Sequence, residues 1–376
     1  MKKMSNNVEA FFSLIRAGLW ETRVDLKAYG KIDFDAIFRL AEEQSVIGLV
    51  AAGLEFVSDT KIPKEVALTF AGAALQLERR NTAMNLFLGE LVEKMRKEGI
   101  YTLLLKGQGL AQCYERPLWR ASGDIDFFSS NDNYQRAKQY LSGIASRIEN
   151  ENAYTRHLAM TLEGWEIEIH GTLRSGLRPS IDKVLDKVMY AAFYEGKVRS
   201  WMDGRTQVFL LNPDEDVVYV FTHILQHFYK EGIGLRQICD WCRLLWTYRE
   251  KLDLALLKDR LKEMGCQAEW NTFAAFAVEY LGMSEIAIPF YHRVKRWQKK
   301  AKKIQSFVMK VGNFGHNEGK SNNHYRYPAL IRKLVTMWRG SGYVMRHFTT
   351  FPLQTIKVFN GTFVFGIRNT FSKYVM

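Results

Sequence analysis

The stretch Leu103-Leu104-Leu105-Lys106-Gly107, with Gly123-Asp124-Ile125-Asp126-Phe127-Phe128 after it, decides how this chain is read. Ile100 to Leu105 is a short apolar run, which reads as a buried strand closed by Lys106-Gly107-Gln108-Gly109. A glycine at a strand end lets a phosphate come close to the backbone. Ile125 to Phe128 reads as a second strand, with Asp124 and Asp126 two residues apart. Carboxylates at that spacing on a strand point the same way. Further on, Glu166, Glu168 and His170 alternate with Trp165, Ile167 and Ile169, so one face of that run is polar. A third carboxylate from it would complete a cup for divalent metal ions.

Outward from this core the pattern is helical on both sides. Residues 5–98 place Phe11, Leu14, Ile15 and Leu19, then Ile37, Leu40 and Ala41, then Met84, Leu88, Leu91 and Met95 at helical spacing. Gly99 stands where a helix end wants a left-handed residue. Leu110 to Tyr114 reads as a short helix. After Ser129 to Asn133, Tyr134, Ala137, Tyr140, Leu141 and Ile144 form one helical face. Glu163-Gly164 joins Tyr154–Leu162 to Trp165–Ile169 as a hairpin. Asp203 to Thr206 joins Val198–Met202 to Gln207–Leu211 as another. Asn212-Pro213-Asp214 opens a helix with Val217, Val220, Phe221, Ile224 and Leu225 inward, and residues 214–285 are mostly helical. This divides the chain into an N-terminal helical segment (1–98), a core (99–212), a helical domain (213–290) and a basic, aromatic-rich C-terminal region (291–376).

The order Leu103-Leu104-Leu105-Lys106-Gly107, Leu110-Ala111, Tyr114, Arg120, Asp124-Ile125-Asp126, Ile167-Glu168-Ile169-His170 resembles the uncharacterised nucleotidyltransferase family of the polymerase-β-type superfamily. That family carries an LKG…LA…Y…R…DID…(E/D)-(L/I)-H pattern. His223, His227, Arg236 and Asp240 look like its helical H…H…R…D segment, so the likeness runs from residue 8 to residue 245. The resemblance implies an α+β fold with a polymerase-β-like core, a mixed sheet with helices, flanked by helical segments. It implies an NTP substrate and two Mg²⁺ ions, with Asp124, Asp126 and Glu168 as ligands and catalytic groups. Lys106, Gly107, Arg120 and His170 would contact or support the nucleotide. A hydroxyl of an acceptor would attack the α-phosphorus and pyrophosphate would leave. The chain departs from the superfamily at Gln108, where Ser or a second Gly is usual, which keeps open a nucleotide-binding or interaction protein without turnover; a transferase acting on RNA or a protein hydroxyl is the other alternative.

Each residue also has a plainer reading. Asp124 and Asp126 could be a solvated strand end, and the polar face of Glu166, Glu168 and His170 could simply meet water. Glu168 is preferred to Glu166 for its place before Ile-His. Lys106 suits a phosphate contact or a surface charge. Arg120 suits a phosphate or the neighbouring acids. His223 and His227, at i and i+4, share a helix face. They lack the Glu of a metalloprotease helix, so they read as a pocket wall or as a satisfied, half-buried pair. Arg236 and Asp240 read as a helix-surface ion pair. Cys239 and Cys242 have no partner pair at finger spacing and read as buried thiols.

Composition bounds these readings. The chain has 376 residues and 47% hydrophobic content, enough for a sizeable core. The net charge of +13 belongs to the tail: Phe290 to Met376 holds 17 Lys and Arg against Glu318 alone, leaving the rest at −3. The tail interleaves these charges with aromatics such as Trp297, Tyr325, Trp338, Phe351, Phe359 and Phe365, and Ala329 to Arg339 reads as a basic amphipathic helix. Such a region suits an anionic membrane surface, and its aliphatic content favours that over nucleic acid. A helical layer packed on the body is the plainer reading. No apolar run of about 18 residues and no secretory signal is evident, so the expected location is cytoplasmic, peripheral at the inner face of the membrane if the tail binds there. An envelope glycan would then be an attractive acceptor.

Overall fold

The structure is a computed structural model and describes residues 6–152, 154–313 and 342–371, with side chains up to residue 363. Four helices come first: α1 (Asn6–Trp20), α2 (Phe34–Glu43), α3 (Ile47–Glu55) and the long α4 (Lys64–Lys97). The core follows as β1 (Leu103–Leu105), α5 (Gly107–Ala111), β2 (Ile125–Phe128), α6 (Asn131–Ile144), β3 (Arg147–Ile148), β4 (His157–Leu162), β5 (Trp165–His170), α7 (Pro179–Tyr194), β6 (Val198–Asp203) and β7 (Thr206–Leu211). Then come α8 (Pro213–Lys230), α9 (Leu235–Tyr248), α10 (Leu254–Met264), α11 (Gln267–Leu281), α12 (Lys295–Val311) and α13 (Pro352–Phe371). The fold is α+β, with a seven-stranded mixed sheet between helical segments.

The strand order is β3-β4-β5-β2-β1-β7-β6. β2 runs antiparallel to β1 and parallel to β5, with Asp126 opposite Leu105 on one side and Glu168 on the other. Alternation along these strands divides the sheet. Ile125, Phe127, Ile167, Ile169, Leu158 and Met160 are buried with Met84, Leu88, Leu91 and Met95 of α4 and with Tyr134, Ala137 and Leu141 of α6. Phe128, two residues from Asp126, faces the other way and packs on Phe193 of α7 at 4.8 Å. Asp126 therefore lies on the face covered by α7 and α8.

Several element ends differ from the sequence expectation. α4 closes with Gly99 at φ +65° and with Ile100 N–H on the Met95 carbonyl. Tyr101 N–H goes to the Asn133 side chain. Those amides are spent on α4 and α6 and not on a neighbouring strand, so the expected strand from Ile100 shrinks to Leu103–Leu105. The short helix expected at Leu110 to Tyr114 instead spans Gly107–Ala111, because Leu110 N–H closes the first turn on the Lys106 carbonyl. Ile144, expected on the buried face of α6, is the last residue of the helix and is 52% exposed.

The helices before and after the sheet share one apolar core that joins α1 with α8, α9, α11 and α12. α12 buries Trp297, Ala301, Ile304 and Val308 and turns Lys295, Arg296, Lys299 and Lys303 outward. The basic helix expected at Ala329 to Arg339 lies outside the described residues. Among the described residues, no helix is long and apolar enough to cross a membrane.

α1 and α3 cross so closely that a Cβ on Gly53 would sit 2.0 Å from the Leu14 carbonyl oxygen, and one on Gly18 would sit 2.0 Å from that of Leu49. Backbone cannot yield as a side-chain tip does. Gly53→Ala should therefore destabilise the protein by about 3 kcal/mol, read as a lowered urea midpoint.

His347 is packed 3.8 Å from the Phe228 ring and 4.7 Å from Phe307, ring centre to ring centre. Burial pushes its imidazole down to about 3. A base with a depressed folded pKa contributes stability that is lost as pH falls below its unfolded value. From about pH 7 to about pH 5, wild type should lose about 2 kcal/mol more than His347→Phe, measured by denaturation at both values.

Candidate active site

Asp124 ends the loop that enters β2, Asp126 is inside the strand and 1% exposed, and Glu168 is its register partner on β5. One carboxylate oxygen from each lies within 4.8 Å of the others. They open into a cavity of about 410 Å³ bounded by the end of β1, the β5–α7 loop, α8 and the start of α9. Repulsion from Asp126, then burial, raises the Asp124 carboxyl above the usual range, although Lys106 opposes this.

Lys106 enters the cavity from the turn after β1. Its backbone is left-handed (φ +50°, ψ −137°), a strained setting for a residue with a Cβ. Its Nζ lies 3.0 Å from Asp126 Oδ1 and 3.1 Å from His223 Nε2. Lys106 is thus no surface charge. Burial pulls its ammonium down, but Asp126, Tyr219, Asp124 and Glu168 together hold it above the ordinary lysine range. His223 is driven the other way by burial, Lys106 and His227, so its neutral Nε2 accepts the Lys106 N–H. His227 approaches the same nitrogen at 3.0 Å. The i, i+4 histidines line the cavity wall and, among the described residues, join no group of side chains able to hold a metal ion.

On β5, His170 Nε2 lies 2.9 Å from Asp126 Oδ1 and 3.5 Å from Glu168 Oε2. Burial opposes charge on His170, but those two acids raise its pKa. Burial likewise opposes charge on Glu168. The approach of His157 and His170, with the charges of His170 and Lys106, nonetheless holds its carboxyl far below the usual range.

The loop that delivers Asp124 is fastened from outside the sheet. Arg120 Nε and Nη2 donate to both oxygens of Asp240 on α9, at 2.9 and 2.7 Å, and the Tyr114 hydroxyl donates to the same carboxylate at 2.8 Å. Arg236 Nη1 donates to the Ala121 carbonyl at 2.9 Å. Asn81 on α4 donates to the Leu118 and Arg120 carbonyls at 2.7 and 2.8 Å. The expected surface pair Arg236–Asp240 is therefore corrected. Asp240 is 3% exposed and its arginine is Arg120, which burial opposes but Asp240 keeps above its ordinary value. Arg120 and Arg236 both line the cavity. Gln108 turns away from it, donating to Asn81 Oδ1 at 2.9 Å, so it neither adds to nor blocks the cavity. Cys239 and Cys242 are buried free thiols.

The family model described as "Uncharacterised nucleotidyltransferase" matches residues 30–282, about two thirds of the chain. The chain belongs to this family. No curated protein and no solved structure matches it. Membership in a nucleotidyltransferase family implies an NTP substrate and, as is typical, a divalent metal ion. The residues fit such an ion. Asp124, Asp126 and Glu168 offer only oxygen donors, as hard cations prefer. Their mutual repulsion at Asp124 is also what a cation would relieve.

Several residues of this cavity carry no signal in the nucleotidyltransferase pattern, Tyr219 and His157 among them. Tyr219 lines it from α8. His157 stands opposite His170 across the β4–β5 hairpin. A two-residue turn at Glu163-Gly164 sets that register, so the signal for His157 lay in the turn.

Asp240→Ala would leave the Arg120 guanidinium buried without its carboxylate. The expected cost is about 3–5 kcal/mol, measured by chemical denaturation.

Proposed function

We propose that this protein transfers a nucleotidyl group from an NTP to a hydroxyl acceptor, with Mg²⁺ held by Asp124, Asp126 and Glu168. The observation that carries this reading is the convergence of those three carboxylates beside Lys106 in one cavity. When bound, the metal supplies Lewis acidity at the α-phosphate and charge to offset both attacking and leaving oxygens.

The chain's own residues do the rest. The Lys106-Gly107 turn lines the cavity beside the acids, so its backbone and ammonium are in place for a triphosphate. Arg236, near enough to Asp124 to influence its charge, adds positive potential on the same side. His170 braces Asp126 and Glu168, and Arg120 with Asp240 braces the loop of Asp124. The acceptor hydroxyl attacks the α-phosphorus, its proton passes to a carboxylate of the cluster, and the bond to pyrophosphate breaks. Thr172, Ser175 and Gln226 line the cavity wall and suit a polar acceptor. The outward lysines of α12 extend the proposal to work at an anionic membrane surface, where a glycan acceptor would be met.

Mg²⁺-dependent pyrophosphate release should be measured with each of the four common NTPs and a cell extract as acceptor source. Asp124→Asn and Asp126→Asn should each lower it roughly a hundredfold or more. Full activity in either variant would overturn the assignment.

A further inference from the structure

We propose that β4 and β5 carry a second cation site, built from His157, His170 and Glu168, that takes a divalent transition-metal ion. The hairpin places His157 and His170 directly opposite one another, with ring centres 4.7 Å apart. Their Nε2 atoms lie 3.0 and 3.5 Å from the same oxygen, Glu168 Oε2. One ligand atom from each of the three residues lies within 4.8 Å of the others. Ligand atoms held about 2.0–2.2 Å from one ion, at ordinary bond angles, are themselves about 3–3.5 Å apart. The spacing to Glu168 falls in that range.

A second observation separates this group from simple hydrogen bonding. His157 Nε2 is a buried atom on a side chain that is 32% exposed, and its close polar neighbour is Glu168 Oε2 at 3.0 Å. It sits close to Glu168 but off the axis that a hydrogen bond needs. A nitrogen aimed at a shared space beside a carboxylate is how a metal ligand is held.

The donor set differs from that of the neighbouring acids. Two imidazoles and one carboxylate favour zinc, cobalt and their neighbours, whereas Asp124, Asp126 and Glu168 together favour a hard cation. Glu168 belongs to both groups and would bridge them. His170 Nε2 also lies 2.9 Å from Asp126 Oδ1, so binding exchanges that hydrogen bond for a metal bond. The site does not depend on nucleotidyl transfer.

The test is Co²⁺ titration of metal-free protein, followed by its visible absorption bands, with Mg²⁺ present in excess. Wild type should bind one Co²⁺ per chain that Mg²⁺ does not displace. His157→Gln, with melting temperature unchanged, should bind Co²⁺ at least about tenfold more weakly. Asp124→Asn should bind it as wild type does. Displacement of Co²⁺ by Mg²⁺, or wild-type binding by His157→Gln, would overturn the proposal. Pyrophosphate release is not read here, so failure of the transferase reading and failure of this site are told apart.

Discussion

The contact between the Lys106 ammonium and Asp126 governs the electrostatics around which the cavity is built. Three carboxylates within reach of one another repel, and burial sharpens that repulsion. A buried ion pair adds little to stability once desolvation is counted. Its value is local, because it lets acids gather where they would otherwise push apart or take up protons. The left-handed backbone at Lys106 is the strain accepted for aiming that side chain inward.

The helical parts of the chain complete this arrangement. Asp124 comes from a loop, and a loop holds a side chain less firmly than a strand does. Asn81 from α4 and Asp240 and Arg236 from α9 fasten that loop through its carbonyls and through Arg120. These contacts join residues far apart in sequence. The sheet supplies Asp126 and Glu168 directly, whereas the position of Asp124 is set by helices on two sides of it.

Much of this was legible in the sequence where the signal is local. The bounds of β2, the turn at Glu163-Gly164 and the helix start at Asn212-Pro213 all follow from spacing and turn chemistry, and the structure has them. The overall α+β arrangement with a mixed sheet was legible through the ordered motifs of the family. The carboxylates could be singled out because acids on an otherwise apolar strand are conspicuous. What was not legible depends on distance in the chain. Helical spacing offered Arg236 to Asp240, but nothing local announces that Arg120, from another segment, occupies that carboxylate. Likewise, the Ile100 amide is taken by the end of α4 and the Tyr101 amide by Asn133 of α6, which a hydrophobic run does not reveal.

The hairpin turn at Glu163-Gly164 has φ +50° and +85° at its two residues and allows only one pairing of its strands. Surface turns are usually where a chain can gain or lose residues harmlessly. This one has lost that freedom. A single residue more or fewer would slip β4 by one place and turn its two faces over. Leu158, Met160 and Leu162 would then leave the core, and His157 would no longer face His170. The length of an exposed turn is therefore under the same constraint as the polar cluster it serves, although no atom of the turn lies in the cavity.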